Sequence, residues 1–395
     1  MKFVVSRDPL LRSRLLLPSI FKKALPCPVK GRATTYHFWA RNALFHGLEV
    51  LGLKSGDKVL VPAFHCETVV EPILHYGCEV VFYNVNRDGI IDFEDISRRV
   101  DRHTKAIVAI HYFGILQPLQ KIREFCQQYQ LFLIEDCAHI LMGNIGGKPI
   151  GSVGDVSIFS WRKFLPIYDG GLLVCNNVQC QPNLCWKKLD GWFQVKIIKN
   201  LFEKCLYDMS RRMTPVELRH DSREPTTQSS QCQEVSCDQI QAKTHVAEFD
   251  SSQLSWPMSR WSQSILSKIN LAEIIQKRKE NSNVLCKAMG QLSEVYPWSS
   301  AGADGVCAWA FPIVVPNRKD VHIKLREKGI QAFSWEGVIH PTLPIEKFPE
   351  AKFLYEHLVL LPNQQSLTQH EINLVIHGVK EILERQLPHP PEVLQ

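Results

Sequence analysis

From about Thr35 to Asn177, short apolar runs rich in β-branched residues alternate with amphipathic stretches, a pattern that predicts βαβ units and a mostly parallel sheet. The runs cover residues 58–64, 79–85, 106–111 and 131–135, then 156–160 and 171–175. Between them Leu119, Ile122, Phe125, Cys126 and Tyr129 recur at helical spacing, so residues 118–130 are expected to form a helix against one face of the sheet. Residues 183–213 carry Trp186, Leu189, Phe193, Ile197 and Leu201 and read as a helical excursion. A stretch rich in Ser, Gln and Thr over 214–250 has weak periodicity and reads as an irregular connection. Regular pattern resumes at Pro257. There follow a strand over 308–315, a helix over 319–328, a strand over 330–335 and a long C-terminal helix. In that last helix Ile372, Val375, Ile376, Val379, Ile382 and Leu383 trace one apolar face. The organisation expected is an N-terminal arm (1–34), a large domain (35–256) and a small C-terminal α/β domain (257–395).

Composition narrows the classes. A chain of 395 residues, 45% hydrophobic and 22% charged, can bury a sizeable core. Its net charge of +6 is modest, and the Lys and Arg residues are spread along the chain, which argues against a nucleic-acid partner. No span approaches the roughly 18 apolar residues of a membrane helix. Lys2, Arg7, Arg12 and Arg14 interrupt the apolar residues at the N-terminus, so a signal peptide is not expected. Thirteen cysteines, an odd count with no CxxC pair, fit a reducing cytoplasm better than a disulfide framework. No metal site is expected.

Ligands of open parallel sheets collect beyond the carboxyl ends of the strands, so polar residues just after apolar runs carry the candidate chemistry. In IEDCAH an apolar run ends in Glu135 and Asp136, with His139 three residues on. A strand-end carboxylate can hold a protonated heteroaromatic nitrogen, or it can simply cap the next turn. In FSWRKFLPIYDGG, Ser160 precedes Lys163 by three residues. An apolar setting favours a lysine of lowered pKa, hence a nucleophilic amine; the alternative is a solvated surface lysine. In FWARNALFHGLEVLGLKSGDKVLVP, Ala40, Arg41 and Asn42 open a helix whose Leu44, Leu48 and Leu51 face the core. Free N–H groups there suit a phosphate, with Arg41 adding charge, while Asn42 could equally be a plain N-cap. In VPAFHCETVV, Phe64 and His65 offer flat groups that could stack on a ring.

These segments stand in the order and near the spacings of the DegT/DnrJ/StrS family of PLP-dependent sugar aminotransferases, which the chain resembles. The resemblance is carried by RNALFHGLEVLGLKSGDKVLVPA, TKAIVAIHYFG, IEDCAH and GKPIGSVGDVSIFSWRKFLPIYDGG, with weaker echoes in PMSRW, FPIVV and VLLP. It implies an α/β fold of the fold type I PLP-dependent transferases: a large α/β/α sandwich with a mostly parallel sheet, a small C-terminal α/β domain, and a homodimer. By position Lys163 resembles the family's Schiff-base lysine, Asp136 the partner of the pyridine nitrogen and His139 the residue near the ring hydroxyl. Ser160 and the helix start at Ala40, Arg41 and Asn42 would hold the phosphate. The implied reaction is amino transfer from an amino acid donor to a keto-sugar, nucleotide-linked as in the family, through pyridoxal 5'-phosphate. The chain departs from the pattern near the cofactor. Trp39, Ala40 and Arg41 replace the usual Ser-Gly-Thr, Cys66 occupies the ring-stacking position, leaving His65 or Phe64 to stack, and the interval from Ser160 to Lys163 is short. A non-sugar substrate, or a catalytically silent homologue, is the alternative reading. Some relatives are sugar dehydratases with histidine at the lysine position, which Lys163 argues against.

Overall fold

The computed structural model describes residues 5–16, 24–176, 184–213, 249–292, 295–298, 306–316, 318–335 and 339–384. Strands β1 (Ala33–His37), β2 (Lys58–Pro62), β3 (Glu79–Tyr83), β4 (Thr104–Ile110) and β5 (Phe132–Asp136), a short hairpin β6 (Asn144–Ile145) and β7 (Lys148–Pro149), then β8 (Val156–Ser160) and β9 (Gly171–Cys175) are interleaved with helices. Seven of them form one sheet in the order β1-β9-β8-β5-β4-β2-β3. Strands β3, β2, β4, β5 and β8 pair in parallel, while β9 runs antiparallel to both β8 and β1. The parallel strands read as continuous apolar runs because helices cover the sheet: α1 (Ala40–Val50), α2 (Glu67–His75), α3 (Phe93–Arg99) and α4 (Leu119–Tyr129). Helix α4 turns its Leu119, Ile122, Phe125 and Cys126 inward, as their spacing predicts, and ends on Gln130 in the left-handed region.

The helical excursion is shorter than its periodicity suggests, since helix α5 spans Gly191–Met213 and Trp186 and Leu189 precede it. The connection expected over 214–250 lies outside the described residues except for its last two. Beyond it come α6 (Arg260–Leu266), α7 (Leu271–Met289), a three-stranded antiparallel sheet of β10 (Tyr296–Pro297), β11 (Phe311–Val314) and β12 (Leu358–Leu361), and helices α8 (Arg318–Glu327), α9 (Pro349–His357) and α10 (Gln369–Glu384). Ile372, Val375, Val379, Ile382 and Leu383 of α10 join Ile313, Leu325 and Val359 in a hydrophobic cluster of their own. The strand expected over 330–335 is absent. Only isolated bridges occur there, Val5 with Ile330 and Phe333 with Leu360, because these residues are divided between two partners and meet neither over a continuous register.

Candidate active site

Side chains alternate across a sheet, so the register between β5 and β8 fixes what shares a face. Asp136 pairs with Ile158, and Ser160 lies two residues further along β8, so Asp136, Ile158 and Ser160 point the same way. Both strands end here, and the chain leaves β8 through a single 3-10 turn, Trp161–Lys163, before returning as β9. The result is a cavity of about 740 Å³, open solvent at its mouth included, which Ala40, Arg41, Asp136, His139, Ser160 and Lys163 line together. Six of the eight residues singled out from the sequence thus converge.

Lys163 is surrounded by protein, and its ammonium lies over the Trp309 ring, 4.6 Å from the centroid. Burial lowers its pKa from 10.5 to about 8, against the pull of Cys66 and Asp136, which favour the charged form. Asp136 is 7% exposed and accepts the Ala138 N–H at 2.8 Å. Burial raises its pKa, and the Ala138 N–H and Lys163 only partly oppose that shift. His139 sits against Phe113, ring centroids 4.5 Å apart and nearly parallel, and faces Trp309 at 5.4 Å. Burial, with Lys163 adding repulsion, holds its pKa well below the ordinary value, so the imidazole is neutral; its Nδ1 is buried without a partner. Phe113 adopts φ +46, a left-handed conformation that disfavours a side chain, where its ring meets His139.

Two expected residues face elsewhere. His65 is fully buried, stacks on Phe82 (5.1 Å, 10°) and bonds its Nδ1 to the Pro62 carbonyl at 2.9 Å; burial lowers its pKa to about 4. It cannot stack on a ligand in the cavity. Phe64 is held among Tyr112, Trp298, Trp335 and Tyr355, and Cys66 is the residue of that segment that lines the cavity. Asn42 is not the N-cap of α1, and its side chain is turned to another segment. Trp39 caps α1 without a side-chain bond, while Asn42 donates its Nδ2–H to the Gln253 carbonyl at 2.7 Å and its backbone N–H to Trp39. Gly171 lies beneath this helix start, where a Cβ would come within 2.2 Å of the Trp39 carbonyl carbon.

Sequence reasoning passed over Arg162 and Trp309. Arg162 was visible only as a charge beside Lys163, and nothing local brings Trp309 to His139. Behind the cavity, Glu135 points to the opposite face of the sheet. It accepts N–H bonds from Gly151 (2.6 Å), Gly154 (2.9 Å) and Val153 (3.1 Å), and faces His111 Nε2 at 3.2 Å. His111 Nδ1 accepts the Gln117 N–H, so Nε2 carries the proton and donates to Glu135. Burial opposes the charge on Glu135, but these donors outweigh it and leave the pKa below the usual value. His111, Glu135 and Cys137 approach within 4.8 Å of one another, a grouping these hydrogen bonds account for.

Residues 40–196 match the model of the DegT/DnrJ/EryC1/StrS aminotransferase family. The chain is 35% identical over 138 residues to the GDP-perosamine synthase of Vibrio cholerae, covering 34% of this chain and 38% of that protein. It is 31% identical over 157 residues to a UDP-N-acetyl-3-dehydro-alpha-D-glucosamine 3-aminotransferase of Acidithiobacillus ferrooxidans, covering 39% and 42%. The matched part spans less than half the length of either relative. Among solved structures, Helicobacter pylori PseC, an aminotransferase involved in the biosynthesis of pseudoaminic acid, superposes with a TM-score of 0.66 at 17% identity, over 98% of this chain and 100% of that one. The fold is that of the fold type I aminotransferases, and residues 40–196 are the part of the chain that resembles the DegT/DnrJ/EryC1/StrS aminotransferase family.

Proposed function

We propose that this protein is a member of that family, a PLP-dependent aminotransferase that moves an amino group from an amino acid to a nucleotide-linked keto-sugar. The carrying observation is the convergence of Lys163, Asp136, Ser160 and the start of α1 on one cavity at the ends of β5 and β8. Its chemistry fits the cofactor: a buried carboxylate whose pKa is raised lacks a cationic partner in contact, an amine is lowered to about 8, and His139 Nδ1 is buried without a hydrogen bond. Bound PLP supplies an electron sink that allows the Cα–H bond of an amino acid to break. Asp136 would hold the pyridine nitrogen protonated, and that ion pair would restore its own ionised form. Lys163 would hold the cofactor covalently, and once displaced by the donor amine its Nζ would carry the proton leaving Cα. His139, neutral, would present Nδ1 to the ring hydroxyl. Ala40, Arg41 and Ser160 would receive the phosphate, where free N–H groups at the start of α1 favour an anion.

The sugar substrate is supported by the names of the relatives, which include a GDP-perosamine synthase, a UDP-N-acetyl-3-dehydro-alpha-D-glucosamine 3-aminotransferase and a dTDP-4-dehydro-2,3,6-trideoxy-D-glucose 4-aminotransferase. A homodimer is supported by an exposed apolar stripe on α5, where Trp192, Val195, Phe202, Leu206 and Met209 follow at intervals of three, seven, four and three. A small C-terminal domain is supported by a separate hydrophobic cluster drawn from residues 285–383 and Val5, whereas Met258, Ile265 and Leu266 pack with Phe38, Trp161 and Leu172 of the large domain. The cytoplasm is supported by ten described cysteines that are free. No helix among the described residues is long and apolar enough to cross a membrane. A second reading, a homologue that binds the cofactor without turnover, is favoured by Cys66 where the family places a stacking ring.

Purified protein is expected to show the visible band of lysine-bound PLP, and Lys163→Ala to lose it together with about 10²–10⁴-fold of donor conversion. A wild-type protein that stays colourless after incubation with PLP would sink the proposal. Coloured protein that glutamate and glutamine fail to bleach would favour the second reading.

A further inference from the structure

Resting on the reading that the cavity takes PLP, we propose that Arg162 is a second phosphate-binding residue, acting with Arg41 where the start of α1 has no hydroxyl to offer. A Ser or Thr is the common occupant of a helix N-cap, and its oxygen can serve a ligand. Here Trp39 stands at that position, Ala40 and Arg41 follow, and the side chain of Asn42 is committed to Gln253. Ser160 brings a hydroxyl to the cavity from β8, while that of Thr68, which also lines it, is donated to Cys66 Sγ at 3.3 Å, which leaves few donors for a dianion.

Guanidinium groups fill the gap. The Arg162 guanidinium lies 4.9 Å from the centroid of the Trp39 ring and that of Arg41 lies 6.0 Å from it, so both flank the residue that opens α1. Arg162 is exposed within the cavity and makes no hydrogen bond or ion pair among the described residues. Protein packed around the cavity wall partly desolvates the guanidinium and disfavours its charge, and after that Arg41 is the strongest influence, a repulsive one. The carboxylate acting on Arg162 is Asp8, which Arg7 already holds in a fork at 3.0 and 3.3 Å, and Lys204 adds a further positive charge nearby. Arg41 has acidic neighbours of its own in Glu67, Glu71 and Asp250. The charge left without compensation is therefore on the Arg162 side. A phosphate dianion between the two guanidiniums relieves their repulsion and accepts their planar N–H forks, which an ammonium group matches less well.

Pyridoxal, which has the same aldehyde and ring without the phosphate, separates this role from general support of the site. The apo-protein is titrated with PLP and with pyridoxal, following tryptophan fluorescence. Arg162→Gln is expected to weaken PLP binding about ten- to hundredfold, as loss of a charged hydrogen bond does, and to leave pyridoxal unchanged. Arg162→Lys should fall between, and inorganic phosphate should compete with PLP for the wild type more strongly than for Arg162→Gln. Circular dichroism checks that each variant is folded. Equal loss for both aldehydes, or no loss for either, overturns the inference. So does unchanged PLP affinity with weakened glutamate binding, which would assign Arg162 to the substrate instead. Wild-type protein that binds neither aldehyde overturns the PLP reading itself, and this inference with it.

Discussion

Burial brings the Lys163 amine down to about 8, and the shift has a pH signature. Below that value the group is protonated and inert toward an aldehyde; above it the neutral amine predominates. The rate at which the apo-protein captures pyridoxal, trapped by borohydride, should rise about tenfold per pH unit and level off just above 8, whereas an unshifted lysine would keep gaining to about 10.4. A profile still climbing at pH 10 would contradict the lowered value. Lys163, Asp136 and Ser160 are legible as polar residues following apolar runs, because a strand's end is marked by where its run stops. The orientation of the 64–66 segment is not. Past the end of β2 the alternation that assigns a side chain to a face no longer holds, and a slip of one residue exchanges His65 for Cys66. Local sequence therefore offers three candidates, and packing against Phe82 and Tyr355 selects among them.

At the scale of elements, β5 does two jobs with adjacent residues, Asp136 toward the cavity and Glu135 toward the loop that precedes β8. That loop depends on glycine: Gly151 has φ +86, and a Cβ there would come within 2.4 Å of Phe159 Cζ. Glu135 binds the loop through three backbone N–H groups and ties it to His111, so the ends of β4, β5 and β8 are held in one network. Glu135→Ala leaves those buried donors and His111 without an acceptor, and is expected to cost about 3–5 kcal/mol in guanidinium unfolding. A loss under about 1 kcal/mol, within the range of an ordinary surface substitution, would show the network to be dispensable. The sequence marks Glu135 as a strand-end acid but not which way it turns. Helix α1 likewise announces itself by periodicity, while the role of Asn42 depends on Gln253, far along the chain. The strand expected over 330–335 fails for a related reason, since its residues are shared between Val5 and Leu360 of β12 and follow neither partner over a continuous register.

At the scale of the molecule, α5 carries the conspicuous exposed apolar face among the described residues. Ile197, Leu201 and Cys205 bury one side of it, while Trp192 (72% exposed), Phe202 (56%) and Leu206 (48%) stand on the other. If that stripe meets a second copy of the chain, the double variant Phe202→Glu, Leu206→Glu should sediment as a folded monomer where the wild type sediments as a dimer. A dimer that survives both charges would place its interface elsewhere. By itself the sequence determined the alternation of strands and helices, the parallel character of the sheet and the strand ends where Asp136, Ser160 and Lys163 lie, because hydrophobic period and run length are local properties written residue by residue. Only the tertiary structure decided that Arg162 joins Arg41 at Trp39, that Trp309 lies under Lys163 and that His65 and Asn42 turn away. Those outcomes depend on which distant segments meet, and no local pattern records a contact between residues a hundred or more positions apart.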